Sequence, residues 1–340
     1  MVKFTSLKKI YELIDKSENP LIFFDDDPDG LCSYLQIKKH FKKGHPVVIK
    51  SSPELNVTYL KKIEEYSPDL VIVLDKPILS QDFIDKVNVP IIYIDHHPIN
   101  DINGINYFNP LFKDKEDNRP VSYWCYQLTK DNLWIASVGT IADYSTATLK
   151  EFNKNFPDLC EYSDDPGKAM FGNTKVGKLI RIFSFILKGH HYKVIQYINL
   201  LERINSPYEL LEESSNNAKE IMKIYEKVNK EYQKLLKEAL KPQKSKVHLF
   251  IYEPEKISFT GELSNEVKFN IKNKMIIVGR KTNDAFKLSL RYEKDDLRKI
   301  LEKSLNGLDG YGGGHKHACG ANISSKDFDE FISRLENYIK

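Results

Sequence analysis

LIFFDDDPDGLCS, Leu21 to Ser33, puts four aspartates into the five positions 25–29 directly behind an apolar run. Carboxylates crowded this closely repel one another, and they stay ionised together only where a cation holds them or water screens them. The alternation of D-x-D-x-D-G aims Asp25, Asp27 and Asp29 into one pocket and turns Asp26 away from it, while Gly30 permits a sharp turn into a following helix. Hard divalent cations such as Mg²⁺ and Mn²⁺ take oxygen ligands of this kind; the alternative is a solvated acidic turn. An EF-hand loop is disfavoured, because its twelfth position counted from Asp25 is Gln36 where a bidentate Glu belongs.

The run LIFF (21–24) is the first of a series. VVI (47–49), LVIVLD (70–75) and PIIYIDHH (90–97) are also continuous and rich in β-branched residues, as strands buried on both faces are. Amphipathic segments able to be helical lie between them. Strand and helix in alternation predict an α/β fold with a parallel sheet, and in that architecture functional groups collect beyond the carboxyl ends of the strands. Asp75 closes the second long run, and Asp95, His96 and His97 follow the third. Imidazole beside carboxylate suits Mn²⁺, Fe²⁺ or Zn²⁺. VGTIADYS ends a further apolar run at Asp143, so four carboxylate-bearing strand ends are expected to share a cluster holding two metals.

At 340 residues two domains are expected. Boundaries are placed at 1–165 for the metal-binding unit, 166–243 for a basic helical connector and 244–340 for a smaller α/β domain. Residues 166–201 lack Asp and Glu but carry lysines among aromatics, which fits either contact with a nucleic-acid backbone or, at the helical spacing of Leu179, Ile180, Phe183 and Ile186, ordinary core. ELLEESSNNAKEIMKIYEKVNKEYQKLLKEALK (209–241) reads as one long charged helix ended by Pro242. A net charge of +3 is too small to announce a nucleic-acid binder by itself. The four cysteines form no C-x-x-C pair, which argues against a disulfide framework or zinc finger and for a reducing cytoplasm. The N-terminus reads as an amphipathic helix with Leu7, Ile10, Leu13 and Ile14 on one face, and no run reaches the about eighteen apolar residues of a membrane span, so no membrane partner is expected.

DDDPDGLCS, VIVLD, IDHHP and GTIAD, in that order, resemble the four motifs of the DHH phosphoesterase superfamily, and GYGGGHKHACG resembles the signature of its DHHA1 domain. Within the superfamily the chain looks most like RecJ-type exonucleases, especially compact archaeal ones; phosphatase branches carry a histidine where this chain has Phe23. The resemblance implies a parallel-sheet DHH domain joined by a helical connector to a smaller DHHA1 domain, with the active site in the cleft between them. It implies two divalent metals, Mn²⁺ or Mg²⁺. Asp25, Asp27 and Asp75 would hold one, and Asp29, Asp75, His96 and Asp143 the other, with Asp75 bridging. His97 would face the scissile phosphate, and Asp95 would orient a histidine. Asn109 and Ser122 match polar positions that order the following loop. Arg291, Gly312, Gly313, Gly314, His315 and Ser33 would bind substrate, the glycines by letting backbone amides approach a phosphate.

What the resemblance implies for function is metal-dependent hydrolysis of single-stranded DNA or RNA in replication or repair, with a helicase assembly of the GINS or Hef kind as a protein partner. Two other readings stay open. One is a phosphatase of very short substrates, such as nanoRNA, 3′-phosphoadenosine 5′-phosphate or a cyclic dinucleotide. The other is a Cdc45-like replisome scaffold without activity, which the full set of carboxylates disfavours. Neither polarity of digestion nor DNA against RNA is legible in these motifs.

Overall fold

A computed structural model describes residues 4–50, 54–162, 164–253 and 257–339. The chain forms two compact units, Met1–Tyr225 and Glu226–Lys340.

The first unit is built on five strands: β1 (Pro20–Asp25), β2 (His45–Ile49), β3 (Leu70–Leu74), β4 (Ile91–Ile94) and β5 (Asn106–Phe108). They lie in the order β2-β1-β3-β4-β5, and every neighbouring pair is parallel, as the buried apolar runs predict. All of β3 and β4 is buried. Register then does the work of assembly. Phe24 lies level with Leu74, and Leu74 with Ile94, so the next residue of each strand, Asp25, Asp75 and Asp95, emerges at one edge of the sheet.

Helices flank this sheet. Helix α1 (Leu7–Lys16) is capped by the Ser6 side chain and buries Ile10 and Ile14, as its periodicity predicts. Helix α2 (Pro28–Phe41) starts where the aspartate cluster ends: Asp27 is its N-cap and Pro28 its first residue. On this face Phe24 stacks on Tyr34 with centroids 4.8 Å apart. Gly30 sits inside the first turn of α2, not in a loop turn. It is needed for space: a Cβ there would lie 2.6 Å from the Asp25 carbonyl oxygen and 2.8 Å from the Asp25 nitrogen.

Helices α3 (Val121–Thr129), α4 (Leu133–Ala142), α5 (Lys175–Ile186) and α6 (His191–Leu201) follow. Helix α4 corrects the expectation of a fourth strand end at Asp143. LWIASVGTIA is buried on nearly every side, and a helix with no solvent face shows no 3.6-residue period to distinguish it from a buried strand. Leu179, Ile180, Phe183 and Ile186 are core, which settles the apolar half of the basic segment. The expected helix over 209–241 is two: Pro207–Leu211, and α7 (Asn216–Ala239). The break falls where Glu213 adopts φ 54° and the Ser215 hydroxyl accepts from Ala218 N.

The second unit holds β6 (Val247–Tyr252), α8 (Thr260–Asn270), β7 (Met275–Lys281), β8 (Ala285–Arg291), α9 (Leu297–Leu305), β9 (Gly310–Gly314), β10 (Ala318–Ser324) and α10 (Phe328–Tyr338). The sheet runs β9-β10-β8-β7-β6, parallel between β6 and β7 and antiparallel elsewhere. Its core includes Ile277, Leu290, Ile323 and Phe331. GYGGG, expected as a loop, is edge strand β9, paired residue for residue with β10. Poor β-propensity is overridden there by space, since a Cβ on Gly312 would lie 2.7 Å from the Gly320 carbonyl oxygen.

Candidate metal centre

Beyond the carboxyl ends of β1, β3 and β4, Asp75 is the pivot. It has φ 55° and is buried, and its Oδ1 has no hydrogen-bond partner. His96 Nε2 lies 3.5 Å from that oxygen and His97 Nδ1 3.9 Å. A desolvated carboxylate oxygen aimed between two imidazoles is costly unless a cation meets it. His96 Nε2 also lies 3.7 Å from Asp143 Oδ2. Ligand atoms of Asp75, His96 and His97, and of Asp29, His96 and Asp143, fall within 4.8 Å of one another in two sets that share His96. The donor chemistry of either set suits a divalent cation, and the two sets meet at His96.

The histidines are oriented from behind. His96 Nδ1 is 3.0 Å from the Asn118 carbonyl oxygen, which fixes a proton there and turns Nε2 to the carboxylates. Asp95, buried, takes the His97 backbone N–H at 3.1 Å and its Nδ1 at 2.8 Å. Asn109, also buried, donates to the His97 carbonyl at 2.8 Å. Sequence reasoning anticipated Asp95 and Asn109; Asn118 acts through its backbone, for which a sequence carries no signal.

Asp29 is clamped by the start of α3. Val121 N donates to its Oδ2 at 2.8 Å, and Ser122 donates to its Oδ1 through both N, at 3.0 Å, and Oγ. A helix N-terminus is a favourable seat for a carboxylate. Gly139 of α4 packs against Ser122 in turn. Ser33, expected at the substrate, is a correction: it is fully buried in α2, and its hydroxyl donates to the Asp29 carbonyl at 2.8 Å, beneath the cluster.

Asp25 and Asp27 join neither set. Asp27 Oδ1 accepts from Gly30 N at 2.9 Å as the helix cap. Asp25 Oδ1 accepts from Lys76 Nζ at 2.7 Å and from Asp26 N at 3.0 Å. Lys76 escaped sequence reasoning, since a lysine after a strand end is ordinarily a surface residue.

Electrostatics show a cluster short of positive charge. Burial, then Asp75 and Asp143, push the Asp29 carboxyl up to about 8. Burial raises Asp25 to about 6 although Lys76 opposes it. The protein packed around Asp143 raises it to about 6, although 43% of its side chain stays open to solvent. Burial and three neighbouring carboxylates push Asp27 well above its usual range. At Asp75 burial acts upward too, but His96, His97 and Lys76 outweigh it and hold the group below its usual value. Burial disfavours the imidazolium of His96, and Asp75 and Asp143 reverse that, raising it well above its ordinary value.

In the second unit Arg291 ends β8 opposite Ala318, next to the turn at which His315 N donates to the Ala318 carbonyl at 2.8 Å. Asn265 Oδ1 accepts from Arg291 Nε at 2.7 Å and holds the guanidinium. Gly312, Gly313, Gly314 and His315 are exposed along this edge, and Gly314 needs its glycine for φ 142°. Arg291, Gly314 and His315 thus meet at one end of the sheet; Gly312 and Gly313 lie further along β9.

An all-parallel sheet with a carboxylate and imidazole centre beyond its strand ends defines an α/β protein with residues able to hold a divalent metal. Residues 19–158 match the family model of the DHH family, N-terminal domain, and residues 258–340 that of the DHHA1 domain. The chain belongs to the DHH/DHHA1 superfamily, and its fold is RecJ-like. RecJ in complex with Mn²⁺ from Thermus thermophilus is 16% identical with a TM-score of 0.70, over 99% of this chain and 55% of that one. This chain therefore spans about half the length of that protein. Exonuclease RecJ bound to manganese is 16% identical with a TM-score of 0.60, over 99% of this chain and 95% of that one. The pGpG-specific phosphodiesterase PggH from Vibrio cholerae is 13% identical with a TM-score of 0.50, over 94% of this chain and 98% of that one. At these identities the likeness is one of fold. No curated protein matches the sequence. Among the described residues no helix is long and apolar enough to cross a membrane.

Proposed function

We propose that the chain is a divalent-metal-dependent phosphodiesterase that acts as an exonuclease on single-stranded DNA or RNA, in replication or repair. The observation that carries the metal-dependent part is the unpartnered, buried Oδ1 of Asp75 between His96 and His97. The exonuclease part is supported by the RecJ-like fold. Divalent ions bound here, Mn²⁺ first and Mg²⁺ second, would lower the pKa of a water and clamp phosphate oxygens as negative charge builds.

The chain's own groups have separable tasks in this proposal. Asp29, Asp75, His96 and Asp143 are the metal ligands. Asp95 fixes the His97 Nδ1 proton, leaving Nε2 as the nitrogen that addresses the scissile phosphate. Arg291 and the backbone amides of Gly312, Gly313 and Gly314, with His315, bind further substrate phosphate, a task for which a planar guanidinium is shaped. A helicase assembly as partner belongs to the same proposal.

The test is digestion of end-labelled single-stranded DNA and RNA beside dinucleotides, with Mn²⁺. Progressive shortening of the long oligomers is the expected result. Cleavage of dinucleotides alone would replace the exonuclease with a short-substrate phosphodiesterase. Absence of any hydrolysis, with no Mn²⁺ binding by calorimetry, would leave a scaffold.

A further inference from the structure

Lys76 has 0% of its surface exposed, and its Nζ lies 2.7 Å from Asp25 Oδ1, beside the carboxylates that the family resemblance assigns to a first metal. A buried ammonium is tolerated only with an opposing charge, and Asp25 supplies it. The lysine is held by the strand end itself: it directly follows Asp75, and the Tyr93 hydroxyl donates to its carbonyl oxygen. Its Nζ therefore sits where a cation bound by Asp25 would sit. An ammonium on that carboxylate oxygen opposes a dication there, because the two repel each other at such separations and compete for its lone pairs. The other seat is different in kind. Around Asp75 Oδ1, His96 and Asp143 no lysine or arginine is paired with the carboxylates among the described residues, and the oxygen of Asp75 is orphaned.

We propose that Lys76 is a built-in cation that takes the place of the first divalent ion. The chain then binds one metal, at Asp29, Asp75, His96 and Asp143, and the Lys76 ammonium supplies the second positive charge of the centre. This departs from the two-metal expectation, and it rests on the reading that the cluster binds divalent metal at all.

The experiment counts ions on the full chain. Mn²⁺ stoichiometry is measured by calorimetry and by elemental analysis after desalting, with the manganese paramagnetic resonance spectrum recorded on the same samples. The parent should bind one Mn²⁺ with an uncoupled six-line spectrum. Lys76→Met, which removes the charge and keeps much of the stem, should bind two, with a spectrum broadened by coupling between neighbouring ions. Two ions in the parent, or one in Lys76→Met, would overturn the proposal while leaving the metal reading intact. No ion in either would overturn both. Should Lys76→Met fail to fold, Asp25→Asn in the parent decides: an unchanged single ion and affinity support Lys76 as the resident cation, and loss of one of two ions refutes it.

Discussion

Gly139→Ala probes the centre without touching a ligand. Gly139 lies in α4, where alanine is favoured over glycine by about 1 kcal/mol on helix propensity alone. Its Cβ, however, would stand 2.6 Å from Ser122 Oγ, 2.8 Å from Ser122 Cβ and 2.8 Å from Cys32 Cβ, where ordinary contact begins at 3.4 Å. All three atoms belong to buried residues of α2 and α3, so no flexible chain end can move aside. Overpacking of this kind costs about 1–3 kcal/mol. Pushing Ser122 away also weakens its grip on Asp29, and a buried carboxylate that loses a donor costs about 1–3 kcal/mol more. The costs exceed the helix gain, and a net loss of roughly 1–5 kcal/mol follows, which for a domain of this size lowers the melting temperature by about 2–4 °C per kcal/mol. Thermal unfolding by circular dichroism, paired with Mn²⁺ titration, reads both effects: a lower melting temperature and weaker binding. A variant that melts higher than the parent and binds Mn²⁺ equally well would refute the tight α2–α3–α4 crossing as the support of Asp29.

Asp75→Asn keeps the shape of the pivot and removes its charge. Hydrolysis should be lost with the fold intact by circular dichroism, and near-parent turnover would sink the assignment of Asp75 as a ligand. Arg291→Ala should raise KM several-fold with kcat little changed, the pattern of lost ground-state binding, and an unaltered KM on long oligomers would remove Arg291 from the substrate's path. Asp69 accepts from Ser17 Oγ at 2.5 Å, Glu18 N at 2.6 Å and Asn19 N at 3.1 Å, tying the entry of β1 to that of β3. Burial works against its ionised form, but these donors outweigh it and lower the carboxyl below its usual value. A lowered folded-state value means stabilisation that is complete above the unfolded carboxyl range near ~4 and lost as pH falls through the folded value. Because the group is exposed, Asp69→Asn should cost about 1 kcal/mol or less at pH 7 and nothing at strongly acid pH, and a gap in melting temperature that persists in acid would contradict the linkage.

How far the sequence could be read depended on what each residue type reveals alone. The parallel sheet was legible because β1, β3 and β4 are buried on both faces and show as unbroken apolar runs, and the strand-end rule then delivered Asp25, Asp75 and Asp95. Asp143 was legible as a member of the cluster through its motif but not as a helix end, since α4 is apolar all round. GYGGG read as a loop because glycine disfavours strands, whereas pairing with β10 leaves no space for side chains at Gly312 and Gly314. Ser33 read as a contact for substrate because sequence cannot show that α2 turns it under the cluster. Lys76 was invisible because its burial is created by tertiary packing, with nothing in VLDKP to mark it.

The tether of His96 has an unusual kind of robustness. Its acceptor is the main-chain carbonyl at 118, and every amino acid brings one. Substitution at 118 can leave the imidazole's orientation untouched, so point changes there should be silent at the centre. A change in loop length between β5 and α3 is another matter, because it relocates the carbonyl and rotates the ring. The orientation of this imidazole is therefore written in the length and path of a connection, and insertions or deletions, rather than substitutions, are the changes that reach it.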